Sequence, residues 1–227
     1  MSTSQFKSLL FVPASRLDLV EFAHEREADA LIIDLEDGVA EANKQEARRM
    51  LNSLLERFHS KGIKAMLRIN SLESCGAEDI NAIGAEYSPP LLIPKVTESS
   101  QLSAVEEHWV ASGKKLSALQ LLPMIECPRG LFRAEAIASA TKSVCALVFG
   151  SEDFATEAGV STEIDSLAMP AQWVALAAAV AGIPAYGIPG SLGNYQDMTL
   201  FAKVLQRAKS IGYCGSLCIH PRQSLGK

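Results

Sequence analysis

Eight polar side chains fall at or near the C-terminal ends of short apolar runs: Glu36 and Asp37, Arg68, Lys95, Glu126, Glu152 and Asp153, and His220. Each has a plain reading on its own. Arg68 reads as a surface cation, Lys95 as a snorkelling chain and His220 as a capping residue. Their recurrence at the same end of most of the runs favours a shared site. Glu126 and Asp153 close consecutive runs, and neighbouring parallel strands lie about 4.8 Å apart. Two carboxylates that close repel unless one is protonated or a cation sits between them. A small set of hard oxygens, completed by water and substrate, suits Mg²⁺, and no His or Cys pair is spaced for zinc. A magnesium ion beside an arginine makes a receptor for a 2-oxo acid: the metal takes the keto and carboxylate oxygens, the guanidinium a carboxylate. Such a site stabilises an enolate, as making or breaking a C–C bond in an aldol or Claisen sense requires.

The elements that must position these groups alternate. Apolar runs rich in Val, Ile and Leu occur at 8–13, 30–37, 64–70, 91–96, 118–126, 144–153, 184–190 and 215–221. Longer amphipathic segments lie between them, among them 41–60, 134–140, 166–182 and 198–212. Eight strands, seven of them followed by a helix, predict a parallel sheet closed into a (β/α)8 TIM barrel, read as one domain over residues 1–227. A doubly wound sheet is the alternative, but the glycine fingerprint of a dinucleotide fold is missing from the first turn, VPASRLD. Barrel sites lie at the C-terminal ends of the strands, where the eight polar residues sit.

Composition narrows the partners. With 227 residues, 48% hydrophobic and 21% charged, the chain is ordinary for a globular protein. A net charge of −5 argues against nucleic acid. No apolar run approaches the roughly 20 residues of a membrane span, and the N-terminus lacks a secretory pattern. Five cysteines without a C-x-x-C read as reduced thiols, so the expected location is the cytoplasm. Residues 222–227 after the eighth run leave no room for an eighth helix. The outward face of that run, around Leu217, Cys218 and Ile219, is therefore expected to need cover from a homo-oligomer packed near strands one and eight.

The segments SLLFVPASR, ALIIDLEDGV, LRIN, LLIPKV, LPMIECPRG, LVFGSEDF and CIHPRQ, in this order and spacing, resemble the citrate lyase beta-subunit-like branch of the HpcH/HpaI aldolase superfamily from about residue 7 to 223. The resemblance implies a TIM barrel and a Mg²⁺-dependent lyase. Its substrates would be 3-hydroxyacyl thioesters of the citryl, malyl or citramalyl type, cleaved to a 2-oxo acid and an acetyl thioester. The carrier would be coenzyme A or an acyl carrier protein, and a trimer is favoured. It places the metal on Glu126 and Asp153, the substrate on Arg68 and Glu126, and the carrier's phosphates near Arg16. Glu36 and Asp37 would hold metal-bound water and assist proton transfer, while the general base remains open between these two and a residue from a lid or partner chain. The chain departs from the family pattern in Lys7-Ser8, Pro13-Ala14 and PAYGIPG, and it lacks the segment that carries the family's C-terminal lid. The alternative is a keto-acid- and metal-binding subunit that needs partners for turnover.

Overall fold

The computed structural model describes residues 6–16, 28–193 and 195–225. Eight strands, β1 (Ser8–Pro13), β2 (Ala30–Asp34), β3 (Ala65–Arg68), β4 (Leu91–Ile93), β5 (Leu121–Ile125), β6 (Leu147–Phe149), β7 (Ala185–Gly187) and β8 (Ser216–Cys218), pair in the order β7-β6-β5-β4-β3-β2-β1-β8. Every pairing is parallel. The sheet nearly closes through a bridge between Tyr186 and Gly215, where the Gly187 amide donates to the Gly215 carbonyl at 3.0 Å. This is the expected α/β TIM barrel and not the doubly wound alternative.

Around it lie α1 (Lys44–Ser60), α2 (Gly76–Ala82), α3 (Ser99–Ala111), α4 (Pro128–Phe132), α5 (Ala134–Ala138), α6 (Ser151–Ala158), α7 (Ile164–Ala181) and α8 (Met198–Ser210). The helix expected between β1 and β2 falls outside the described residues. Strands β2 to β8 are buried on both faces, as covered parallel strands must be, apart from part-buried Ala65 at the start of β3. Helix α1 shows the complementary pattern: Ala47, Leu51, Leu54, Leu55 and Phe58 recur at helical spacing and form its buried face.

Two expectations are corrected. The strands are shorter than the apolar runs. The run at 144–153 turns at Gly150 and continues as α6, so Glu152 and Asp153 lie in a helix's first turn, where the macrodipole favours carboxylates. Glu36, Asp37, Lys95 and Glu126 likewise lie just beyond their strands. Nor does β8 carry an uncovered apolar strip. Leu217 and Cys218 are buried beneath the chain itself, with the 3-10 turn Pro221–Leu225 against β1 and β8, and only Ile219, past the strand, is half exposed. Large exposed apolar side chains gather instead along α7, at Met169, Trp173, Leu176 and Val180, beside Phe132. By length and composition alone, α7 (18 residues, mean hydropathy 1.4) could cross a membrane. Its inner face, Leu167, Ala171, Val174 and Ala178, packs against α5, β6 and β7 as a core helix does.

Candidate active site

The register of the sheet sets Asp34, the last residue of β2, beside Arg68, the last of β3. Both are buried. Arg68 donates through Nε to Asp34 Oδ1 at 2.7 Å and through Nη2 to Oδ2 at 2.6 Å, a two-pronged pair. The same carboxylate accepts the amides of Glu36, at 3.0 Å, and Gly38, at 2.9 Å. Gly38 has to be glycine here, because a Cβ on it would stand 2.4 Å from Asp34 Oδ2. Asp34 is thus saturated by four hydrogen bonds and fixes both the turn and the arginine. Burial alone would lower the Arg68 pKa, but the Asp34 bonds and charge outweigh it and push it further above its ordinary value. The guanidinium also lies over the Phe11 ring, 4.8 Å from its centroid. Its remaining Nη1 and Nη2 hydrogens are available on the cavity side.

Glu126 follows β5 and is buried. Its Oε2 accepts the Lys95 amide at 2.8 Å, and among the described residues no cation lies within ion-pair distance of it. Burial, opposed by that amide and reinforced by Asp153, pushes its pKa up to about 8. Two local conformations make room for this carboxylate. Lys95 has φ +55°, the one left-handed non-glycine among the described residues, which aims its amide inward. Gly150 supplies a gap: a Cβ there would lie 2.5 Å from Glu126 Cγ. Asp153, across the same cavity, is also shifted upward, by burial and by the nearby charge of Asp37.

These groups share a cavity of about 360 Å³ at the C-terminal end of the barrel. Glu126, Asp153, Arg68 and Asp37 line it. Glu36 sits behind, with Lys95 Nζ 2.8 Å from its Oε1 and Arg68 Nη1 3.0 Å from its Oε2. The second contact is an ion pair off the donor axis, since Oε2 accepts no hydrogen bond. Burial raises the Glu36 pKa despite both cations. Asp37 is half exposed at the mouth, 3.8 Å from Lys95 Nζ.

Other expected residues are placed elsewhere. Arg16 occupies the exposed turn after β1, its amide donating to the Pro13 carbonyl, and does not line the cavity. His220 stacks on Tyr195 at 4.4 Å and accepts the Arg222 amide at Nδ1, a loop role. Asn70 is scaffold: its amide and Nδ2 both donate to buried Asp79 at 2.7 Å, which Arg48 holds from α1 at 2.7 Å. Glu152 does line the cavity, but its Oε1 is taken by the loop after β7, accepting from Ser191 Oγ at 2.6 Å and the Leu192 amide at 2.7 Å. Sequence reading left Asp34 and Asp79 out of the site. The signal for Asp34 was its register with Arg68, which depends on the sheet.

The donor set fits a small hard cation. Glu126 is buried with no cation of its own, and Asp153 shares its cavity. Among the described residues no group of three or more His, Cys, Asp or Glu forms a complete cage. One or two carboxylates with the remaining positions left to water and substrate is the arrangement Mg²⁺ takes.

Comparison with known proteins gives the family and the fold. The profile of the family described as HpcH/HpaI aldolase/citrate lyase matches residues 7–221. Citrate lyase subunit beta of Escherichia coli K12 is 31% identical, over 96% of this chain and 74% of that protein. A (3S)-malyl-CoA thioesterase of Cereibacter sphaeroides is 30% identical, over 96% of this chain and 74% of its own length. Among solved structures, the citrate lyase beta subunit of Mycobacterium tuberculosis complexed with oxaloacetate and magnesium superposes with a TM-score of 0.80 at 26% identity, covering 100% of this chain and 97% of that one. RipC from Yersinia pestis gives 0.76 at 31% identity, covering 99% and 94%. With a profile match along nearly its whole length and relatives of this identity, the chain belongs to the HpcH/HpaI aldolase/citrate lyase family.

Proposed function

We propose that the protein is a Mg²⁺-dependent lyase that cleaves a 3-hydroxyacyl thioester to a 2-oxo acid and an acetyl thioester. The observation that carries this reading is the convergence of Glu126, Asp153 and Arg68 on one cavity, with the arginine clamped by Asp34. Glu126 and Asp153 would hold the ion. When bound there, Mg²⁺ supplies Lewis-acid charge to the oxygen that becomes the keto group. Arg68 offers its unused Nη hydrogens to the adjacent carboxylate, in an orientation set by Asp34. Of the two candidate bases, Asp37 is assigned the hydroxyl proton, because it lines the cavity and is half exposed. Glu36, enclosed by Lys95 and Arg68, keeps those cations in place. Lys95 holds Glu126 through its amide, and its ammonium stands 3.8 Å from Asp37. The leaving acetyl-thioester enolate is then protonated.

The names of two relatives, a (3S)-malyl-CoA thioesterase and a citramalyl-CoA lyase, support a coenzyme A thioester as the substrate class. The likeness to a citrate lyase subunit also favours a second reading, a beta subunit that turns over only with its partners. The test is product analysis by mass spectrometry after incubation with citryl-, malyl- and citramalyl-CoA, with Mg²⁺ and with excess chelator. Cleavage of at least one thioester that stops on chelation is expected. A folded protein that cleaves none of them but still binds a 2-oxo acid with Mg²⁺ points to the subunit reading, and one that does neither refutes both.

A further inference from the structure

The loop after β7 is fixed from two sides at one residue. Leu192 donates its amide to Glu152 Oε1 at 2.7 Å, and its carbonyl accepts from Gln223 Nε2 at 2.9 Å. Glu152 Oε1 also takes Ser191 Oγ at 2.6 Å and the Gly193 amide at 3.2 Å. Gln223, itself buried, is anchored through Oε1 by the amides of Ile219, at 2.9 Å, and His220, at 3.0 Å. A carboxylate from the start of α6 and an amide side chain from the turn after β8 thus clasp a single residue between them. Leu192 is buried and lines the cavity next to the α6 carboxylates, together with Leu217, Ile219, Phe11 and Met124.

The charges around the same cavity are lopsided. Among the described residues lining it, Arg68 is the one cation; of the five carboxylates Asp34 is bound to that arginine, Glu152 to the loop, Glu126 and Asp153 form the pair assigned to the metal, and Asp37 stands at the mouth. Two of the Arg68 donor groups are already bound to Asp34 and Nη1 stands 3.0 Å from Glu36 Oε2 and 3.6 Å from Asp37 Oδ2, so the guanidinium has donors left for one substrate carboxylate and no more. A second carboxylate, carried on the other substituent of the hydroxyl-bearing carbon, would find Asp37 or the apolar wall of Phe11, Met124, Leu192, Leu217 and Ile219. A charged group buried without a partner is disfavoured in either place.

We infer that this site, on the lyase reading above, takes thioesters whose hydroxyl-bearing carbon carries one carboxylate and a hydrogen or a small alkyl group. Leu192, held by Glu152 and Gln223, is the wall that limits that group. The 2-oxo acid half is then glyoxylate or pyruvate rather than oxaloacetate. Glu152 and Gln223 are positioning residues that act through Leu192.

Calorimetry on the full chain with saturating Mg²⁺ tests this, titrating glyoxylate, pyruvate, 2-oxobutanoate and freshly prepared oxaloacetate. Glyoxylate or pyruvate should bind about ten- to a hundredfold tighter than oxaloacetate, the discrimination expected of an unpaired buried carboxylate. Leu192→Ala should raise the affinity for 2-oxobutanoate relative to pyruvate about tenfold, the scale of one methylene in an apolar pocket. Glu152→Ala should move that ratio the same way without touching the wall side chain, while Glu152→Gln, which keeps an acceptor oxygen, should retain the wild-type ratio. Should Glu152→Ala fail to melt cooperatively, Leu192→Ala decides alone. Oxaloacetate binding as tightly as pyruvate, or an unchanged ratio in Leu192→Ala, overturns the inference and leaves the lyase reading standing. If no 2-oxo acid binds the folded wild-type protein, the lyase reading falls and takes the inference with it.

Discussion

Asp34→Asn isolates the clamp on Arg68 from the metal ligands. The substitution preserves shape and one acceptor oxygen, which can still take Arg68 Nε and the Glu36 amide. In place of Oδ2 it puts an NH2 against two donors, Arg68 Nη2 and the Gly38 amide, now 2.6 and 2.9 Å from that oxygen. Losing a charge-assisted hydrogen bond costs about 1.5–3 kcal/mol and a neutral one about 1 kcal/mol. The sum, about 3 kcal/mol, sits at the low end of the 3–5 kcal/mol typical of breaking a buried ion pair outright, because Glu36 still faces the guanidinium. For a chain of this size 1 kcal/mol moves the melting temperature by roughly 2–4 °C, so a drop of about 6–12 °C is expected. Binding should suffer separately. With one prong lost, Arg68 is no longer held in a single orientation, and 2-oxo acid affinity should fall at least about tenfold while Mg²⁺ affinity changes little. Arg68→Lys should cost ten- to a hundredfold in the same binding assay, since an ammonium cannot span both oxygens of Asp34. The double variant should lose less than the sum, by at least about 1 kcal/mol. The assays are thermal melting in chelator and calorimetry of pyruvate and glyoxylate with Mg²⁺. A variant that melts within 2 °C of wild type (about 1 kcal/mol or less) and binds both acids normally would refute the clamp.

Further outcomes follow from the same geometry. Glu126 has a folded-state pKa of about 8, above the ordinary 4.5, so metal-free stability is fully present below the unfolded value and is lost as pH rises toward 8. The loss should amount to a few kcal/mol in chelator-treated protein, read by denaturant titration across that window, and Glu126→Gln should abolish it. Because Mg²⁺ must displace that proton, its affinity should climb by up to about tenfold per pH unit to pH 8, with proton release measurable from calorimetry in buffers of different ionisation enthalpy. Lys95→Gly should be about 1 kcal/mol more stable than Lys95→Ala, since both lose the ammonium but only alanine keeps the strain of φ +55°; equal melting would contradict this. Gly150→Ala, with its Cβ 2.5 Å from Glu126 Cγ, should weaken Mg²⁺ binding more than it lowers the melting temperature.

The barrel was legible in the sequence because its strands are covered on both faces, which gives short continuous apolar runs at near-regular spacing. Their ends were less so. An acidic pair closing an apolar run reads alike whether the strand continues or a helix has begun, and LVFGSED conceals three strand residues, a turn at Gly150 and the first turn of α6. Helices α2 and α3 were counted in the alternation but given no bounds, and for α3 the reason is visible: it buries only Leu102, Val105 and Trp109, too sparse a stripe to stand out from periodicity alone. The cover over β8 was misjudged because the 3-10 turn after it has no hydrophobic period.

The polar residues that gather at the candidate cavity were legible by residue type, and the mechanics of the cavity were not. Three carboxylates in the stretch DLED look equivalent on paper, yet the structure divides them among three environments. Asp34 is saturated by four hydrogen bonds, Glu36 is buried between two cations, and Asp37 stands half exposed at the mouth. What separates them is where each side chain points after the strand ends, a property of the Gly38 turn and the β2–β3 register. The same holds for Lys95, whose contribution through a left-handed backbone amide has no signature in its residue type. A cavity that crowds this many carboxylates against one arginine is strained when empty of cations, and each prediction above measures how one neighbour relieves that strain: Lys95 by its amide, Gly150 by its missing Cβ, Glu126 by taking a proton. A divalent ion that replaces the proton removes the cost at once, so saturating Mg²⁺ should flatten the fall in stability between pH 4.5 and about 8, and chelation should bring it back only while Glu126 is present.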